Sequence, residues 1–312
     1  MYRLSKLAVV CLAAVPLAWL AAGCGGDSTP KKKTGASTTP PKTDEGSEKG
    51  TAPAKDKAGG GDAKGKEEAN AGAAEGWGTI KGRIVYDGDP PEPTVIAEKG
   101  AKVMKADPAK ELKNWERCSE RELVTQDLVV NKENKGIKWV VVWIGGKPKV
   151  HPDLAKAEGE VEFGQEFCQF KPHVLALRQG QKLKVTASDP GVGHNTKISG
   201  FANDWNTFIP TPKEGEEKSV VDGPDLKTEK LPIPVQCNIH AWMHAYIGVF
   251  SHPYFAVTGD DGSFEIKNVP AGSNKFVIWH ESGWGPGGQP GQDIVVKADE
   301  TTDLKEIKLT PK

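Results

Sequence analysis

Between Gly25 and Gly76 the chain contains no aromatic residue and no valine, isoleucine, leucine or methionine. Lysine, glycine, alanine, threonine, proline and glutamate fill the stretch instead. Such a segment has too little apolar surface to offset the entropy of ordering, so the sequence predicts disorder over 25–76. As a flexible coil it spans roughly 40 Å, and fully extended at most about 180 Å. Asp44, Glu45, Glu48, Glu67 and Glu68 interrupt its lysines, which favours a tether over a basic nucleic-acid tail. Whatever packs into a core must come from Trp77 onward.

The residues before the tether read as an export signal. Arg3 and Lys6 supply a positive start, Leu7 to Leu20 an apolar run, and Ala21-Ala22-Gly23 small residues before Cys24. The run is short for a bilayer and a polar tract follows it, so a spanning helix is disfavoured. Ordinary cleavage with an incidental cysteine is one outcome. The Gly-Cys ending, however, resembles a bacterial lipoprotein signal over residues 1–24. That resemblance implies a lipidated Cys24, an N-terminal membrane anchor, and a protein of the cell envelope or periplasm.

From Trp77 the pattern is that of strands. Thr79–Asp87 is strand-like and stops at Gly88-Asp-Pro-Pro91; Ile137–Ile144 is a β-branched and aromatic run ending in Gly145-Gly146. Short runs follow at 174–177, 182–187, 196–198, 218–221, 233–236 and 245–250, punctuated by glycine and proline. After Phe250 come 255–258, the alternating 263–267 and 275–280. Residues 100–122 are charged and predict a short helix or loop around Trp115 and Cys118. No sustained 3.6-residue apolar period occurs, so the class is all-β, a sandwich or barrel.

The chemistry concentrates in Val235-Gln-Cys237-Asn-Ile-His240-Ala-Trp-Met243-His244. Cys-x-x-His-x-x-Met places a thiolate, an imidazole and a thioether within seven residues, a soft donor set suited to copper. Two histidines and a cysteine in a plane, with a long weak axial methionine, form the blue-copper arrangement. The second histidine must come from elsewhere, and His194 in Gly191-Val-Gly-His194-Asn195 is the candidate. Once Cys11 and Cys24 are set aside, three cysteines remain, an odd number for an exported chain. Either Cys118 and Cys168 form a disulfide while Cys237 binds metal, or Cys237 joins a disulfide and no copper site exists. The ligand spacing around Cys237 favours the first.

The ligand run, with Phe170–Gly180 and His194-Asn195 upstream, resembles the small blue copper proteins (cupredoxins) over roughly 163–250. Its short His-to-Met spacing is closest to amicyanin. The resemblance implies a Greek-key β-sandwich and one type 1 copper per chain held by His194, Cys237, His240 and Met243. It also implies that Asn195 hydrogen-bonds across to the cysteine segment, and that the loop histidine lies near the surface in an apolar patch of Ala241 and Trp242. Thr258-x-Asp-Asp-Gly-Ser-Phe-x-Ile-x-Asn-Val-Pro-Ala-Gly272 resembles carboxypeptidase-regulatory-like (transthyretin-like) sandwiches, which are binding or structural modules. The expected organisation is a cupredoxin-like domain over 77–252 and a small Ig/transthyretin-like sandwich over 253–312. About sixty residues close too few strands for that sandwich, so 79–97 is expected to pair with it.

Of the remaining histidines, His244 is a competing ligand beside Met243 and His173 a candidate for a second metal role; His151, His252 and His280 show no partner spacing. The motifs of serine hydrolases, zinc proteases and phosphate loops are absent, so no enzyme is expected. The formal net charge of −1 gives no global field for nucleic acid. The expected function is one-electron transfer with an unidentified redox partner. Copper binding or delivery without electron transfer, and a metal-free envelope scaffold or adhesion protein, are the alternatives.

Overall fold

The computed structural model describes residues 75–310. The expected export signal, Cys24 and almost all of the expected tether lie outside the described residues. Within them the only helices are Trp115–Cys118 and a 3-10 turn at Pro152–Leu154; the rest of the regular structure is β.

Two sheets enclose a first core. One has five strands in the order Asp204–Ile209, His194–Ser199, Ile233–Gln236, His244–Phe250, Val174–Arg178. The other has four, in the order Ser219–Asp222, Lys182–Ala187, Glu160–Glu166, Gln169–Lys171. Alternation sets the inward faces: Ile233 and Val235 are buried while Pro234 and Gln236 are exposed. Phe163, Phe170, Leu177, Val185, Ile198 and Ile247 fill the space between the sheets.

A second core is assembled from three separated parts of the chain. Trp77–Tyr86 lies between Ser263–Pro270, antiparallel to it, and Thr301–Leu309, parallel to it. The facing sheet carries Phe255–Val257, Val141–Ile144 and Gly272–His280 in that order, with Gly283–Trp284 and Gln292–Val296 also paired to Gly272–His280. Pairing with the C-terminal strands therefore stops at Tyr86, since Val95–Ala97 pairs with Leu123–Val124 instead. Val141–Ile144, expected inside a unit spanning 77–252, belongs to the C-terminal sandwich. A fully buried strand carries no mark of which sheet it joins. The backbones pack closely where these parts meet: a Cβ on Gly262, at φ +76°, would stand 2.2 Å from the Ile84 carbonyl oxygen.

The two sandwiches touch through apolar side chains. Val141, Trp143, Val277 and Trp279 of the second meet Val174 and Phe250 of the first. His252 is buried beside this contact, its Nδ1 accepting from the Tyr254 amide at 3.2 Å and its ring stacked on Tyr254. Burial, with nearby Arg178 adding to it, pushes the imidazole down to about 4. The unfolded chain therefore takes up a proton that the fold refuses between the ordinary value, about 6.5, and 4. Stability contributed by neutral His252 is fully present above pH 6.5 and lost as pH falls to 4, by about 3 kcal/mol. Denaturant titrations across that window should show the slope flattened in His252→Asn. An unchanged slope would contradict the assignment.

Candidate metal centre

The strand Ile233–Gln236 delivers Cys237 at its end, and a tight turn follows. The Cys237 amide donates to the Met243 carbonyl at 3.1 Å, and the Met243 amide to the His240 carbonyl at 2.9 Å. This closure folds His240 back over Cys237. His194 opens the neighbouring strand, where Ile198 pairs with Val235 and Lys197 with Gln236. The sheet register thus sets His194 beside the loop.

Three donor atoms converge. His194 Nδ1 and His240 Nδ1 are 3.1 Å apart, and Cys237 Sγ is 3.8 Å from His240 Nδ1. His194 and His240 are fully buried, and Cys237 is 2% exposed. Met243 is buried in the same core at the closure of the loop. Asn195 reaches across to the cysteine segment. Its amide donates to Cys237 Sγ at 3.5 Å, and its Oδ1 accepts from the Asn238 amide at 2.5 Å. Asn206 Oδ1 fixes the rest of the Asn195 side chain at 2.7 Å.

Each imidazole is held from behind at Nε2. His240 Nε2 donates to Asn114 Oδ1 at 3.0 Å. His194 Nε2 donates to Asp189 Oδ2 at 2.9 Å. Burial pushes the Asp189 carboxyl up, but hydrogen bonds from His194, the Cys168 amide and Arg117 outweigh it and hold it at about 2. Asp189 is therefore ionised and can only accept. Held at Nε2, the two rings turn their Nδ1 atoms and a sulfur toward one another. Such a set calls for a cation among the three atoms, or a proton shared between two of them. Burial lowers the His194 pKa, yet its bonds to Asp189 and Cys237 raise it by more. The Cys237 thiol goes the other way. Burial raises it, but hydrogen bonds from His194, His240 and backbone amides bring it down to about 5, so the thiolate is the stable form at neutral pH.

Asp189 joins several elements, and nothing in the strand pattern points to it. Arg117 Nε donates to its Oδ1 at 2.7 Å, the Phe167 amide to Oδ1 at 2.7 Å, and the Cys168 amide to Oδ2 at 3.0 Å. Phe167 and Cys168 form the two-residue turn between Glu160–Glu166 and Gln169–Lys171, at φ 50° and 54°. Both central residues at positive φ is the geometry that asparagine-glycine pairs ordinarily supply. Here larger residues are held there by Asp189, by the Cys118–Cys168 disulfide, and by Arg117 and Arg121 packed against the Phe167 ring. Backbone strain of this kind persists where its surroundings over-determine it.

Among the described residues the disulfide leaves Cys237 as the free cysteine, and it is buried. It also brings the helix Trp115–Cys118, and Asn114 at φ 54°, over the ligand end of the sandwich. His240 is therefore enclosed, where the loop histidine was expected near the surface. Ala241 is exposed and Trp242 half-buried, its indole N–H donating to the Cys168 carbonyl at 3.0 Å. His244 does not face Cys237. It meets His173, Asp127 and Glu281 on the side of the second sandwich, so two histidines that the sequence leaves unclustered come together.

No family model matches the chain, and no curated protein does. Solved structures of copper proteins align with part of it. A purple cupredoxin from Nitrosopumilus maritimus aligns at 14% identity over 29% of this chain and 98% of its own, with a TM-score of 0.23. A reduced Cu(I) form of an amicyanin variant aligns at 12% identity over 35% and 97%, with a TM-score of 0.24. A copper-containing nitrite reductase from Thermus scotoductus aligns at 18% identity over 33% of this chain and 25% of its own, also with a TM-score of 0.24.

Proposed function

We propose that this protein is an exported, lipid-anchored one-electron carrier with a single type 1 copper held by His194, Cys237, His240 and Met243. One observation carries the reading. Two buried imidazoles bring their Nδ1 atoms to 3.1 Å from each other beside a buried cysteine sulfur, with each ring held at Nε2. Copper bound there would cycle between Cu(I) and Cu(II). The residues' part is to hold the donors still, so that little rearranges on electron transfer, and to exclude water.

Enclosure favours electron transfer over delivery of copper. A chaperone must surrender its ion to a partner's ligands, whereas Asn114 and the disulfide-tied helix close over His240. A metal-free scaffold would gain nothing from burying two imidazoles and a thiol whose donor atoms converge, since taking polar groups out of water costs stability. Trp242, with its ring centroid 5.2 Å from that of His240, offers an aromatic connection toward the surface and the unidentified redox partner.

The test is the visible spectrum of the copper-loaded protein. A strong thiolate-to-copper band at roughly 600 nm with reversible redox supports the proposal. Colourless Cu(I) binding would point to copper handling, and no binding to a scaffold. Met243→Leu should retain copper and the band while shifting the potential, because an axial thioether is a weak ligand that tunes rather than holds. Complete loss of copper in that variant would remove Met243 from the axial role. Intact-mass analysis should find acyl chains on Cys24 of the mature protein; an unmodified Cys24 would remove the anchor.

A further inference from the structure

A second cluster of ligating side chains lies where the two sandwiches meet. His244, the first residue of its strand, directs Nε2 to Asp127 Oδ1 at 2.6 Å and to Glu281 Oε2 at 3.6 Å. His173 Nε2 lies 2.5 Å from Glu281 Oε1. One ligand atom from each of the four falls within 4.8 Å of all the others. The four come from separate places: Asp127 after the strand Leu123–Val124, His173 before Val174–Arg178, His244 opening His244–Phe250, and Glu281 just past Gly272–His280. Two belong to the sheet that carries the copper ligands, and Glu281 to the turn of the second sandwich.

Hydrogen bonding alone satisfies this cluster poorly. His244 Nε2 carries at most one proton yet faces two carboxylates. His173 is 1% exposed, and its Nδ1 has no partner. We propose that Asp127, His173, His244 and Glu281 form a second metal site that takes a divalent cation of the Zn2+ class and clamps the two sandwiches together.

The donor chemistry selects the ion. Two imidazoles disfavour Ca2+ and Mg2+, which take oxygen ligands, and the lack of sulfur disfavours Cu(I). Two neutral imidazoles and two carboxylates suit four-coordinate Zn2+ and cancel its charge, as a closed structural site requires. Asp127 is the most exposed of the four and gives the ion a way in. Because His244 follows Met243 directly, the clamp also fixes the backbone beside the proposed axial copper ligand.

The site can be tested apart from the copper centre. Full-length Cys237→Ser protein, stripped with chelator, is titrated with ZnCl2, and bound zinc is counted after gel filtration. One equivalent per chain and a Tm raised by zinc are expected. Adding Asp127→Asn should lower zinc affinity by at least about 100-fold and abolish the Tm rise. Asp127 is nearly half exposed, so this variant should still fold, and near-UV circular dichroism checks that it does. Zinc bound equally well by the Asp127→Asn protein would mean that the ion sits at His194 and His240, and would overturn the proposal. No zinc bound by the Cys237→Ser protein would overturn it too, leaving an ion-paired network only.

Discussion

Cys237→Ser is expected to abolish the visible band of the copper-loaded protein and to lower copper affinity by at least about 100-fold. The thiolate supplies the negative charge and the covalency of the donor set, whereas a serine hydroxyl stays protonated at neutral pH. The fold should barely notice. Serine is close to isosteric, and its hydroxyl can accept from the Asn195 amide that now donates to Cys237 Sγ. A stability loss of about 1 kcal/mol is expected, so the loss of colour would not be a folding artefact. Retention of the band in Cys237→Ser would sink the blue-copper proposal outright.

The second large effect is expected at Asp189. Its side chain is fully buried and accepts from Arg117, from His194 and from two amides of the strained Phe167-Cys168 turn. Asp189→Asn keeps the shape but removes the charge, and its amide NH2 faces donors. Breaking one side of a buried ion pair costs about 3–5 kcal/mol. Loosening the ring that His194 presents should also weaken copper binding by about 10–100-fold. Chemical denaturation and copper titration of the same variant measure the two effects. A variant as stable as the parent, with copper affinity unchanged, would show that Asp189 does not organise the site.

Much of the ligand end was legible from spacing. Cys-x-x-His works because a tight turn at a strand end brings residues 237 and 240 together. His194 could be paired with them because an upstream histidine-asparagine at this separation is part of the cupredoxin resemblance. The supports were not legible. Asp189, Arg117 and Asn114 reach the site through tertiary contacts that leave no periodic trace. The Phe167-Cys168 turn lacks the asparagine-glycine signature by which such turns are recognised. Asp127 lies 117 residues from His244 and Glu281 lies 108 residues from His173, so no local spacing reveals these contacts. The membership of Val141–Ile144 was equally hidden, because a strand buried on both faces reads as apolar whichever sheet it enters.

The placement of Trp77–Tyr86 between Ser263–Pro270 and Thr301–Leu309 bears on how the chain is made. Arg83 and Glu306, ion-paired across that sheet, are 223 residues apart in sequence. Trp77–Tyr86, the first strand among the described residues, acquires its parallel neighbour only when Thr301–Leu309 has been synthesised. Until then it is an unpaired edge, open to wrong partners. Closing so long a loop is slow, and parallel pairing adds to the delay. The first sandwich, whose strands all fall between Glu160 and Phe250, has no such wait. Its folding can run ahead of the C-terminal sandwich, so the ligand end forms on a molecule whose other half is still waiting for its final strand.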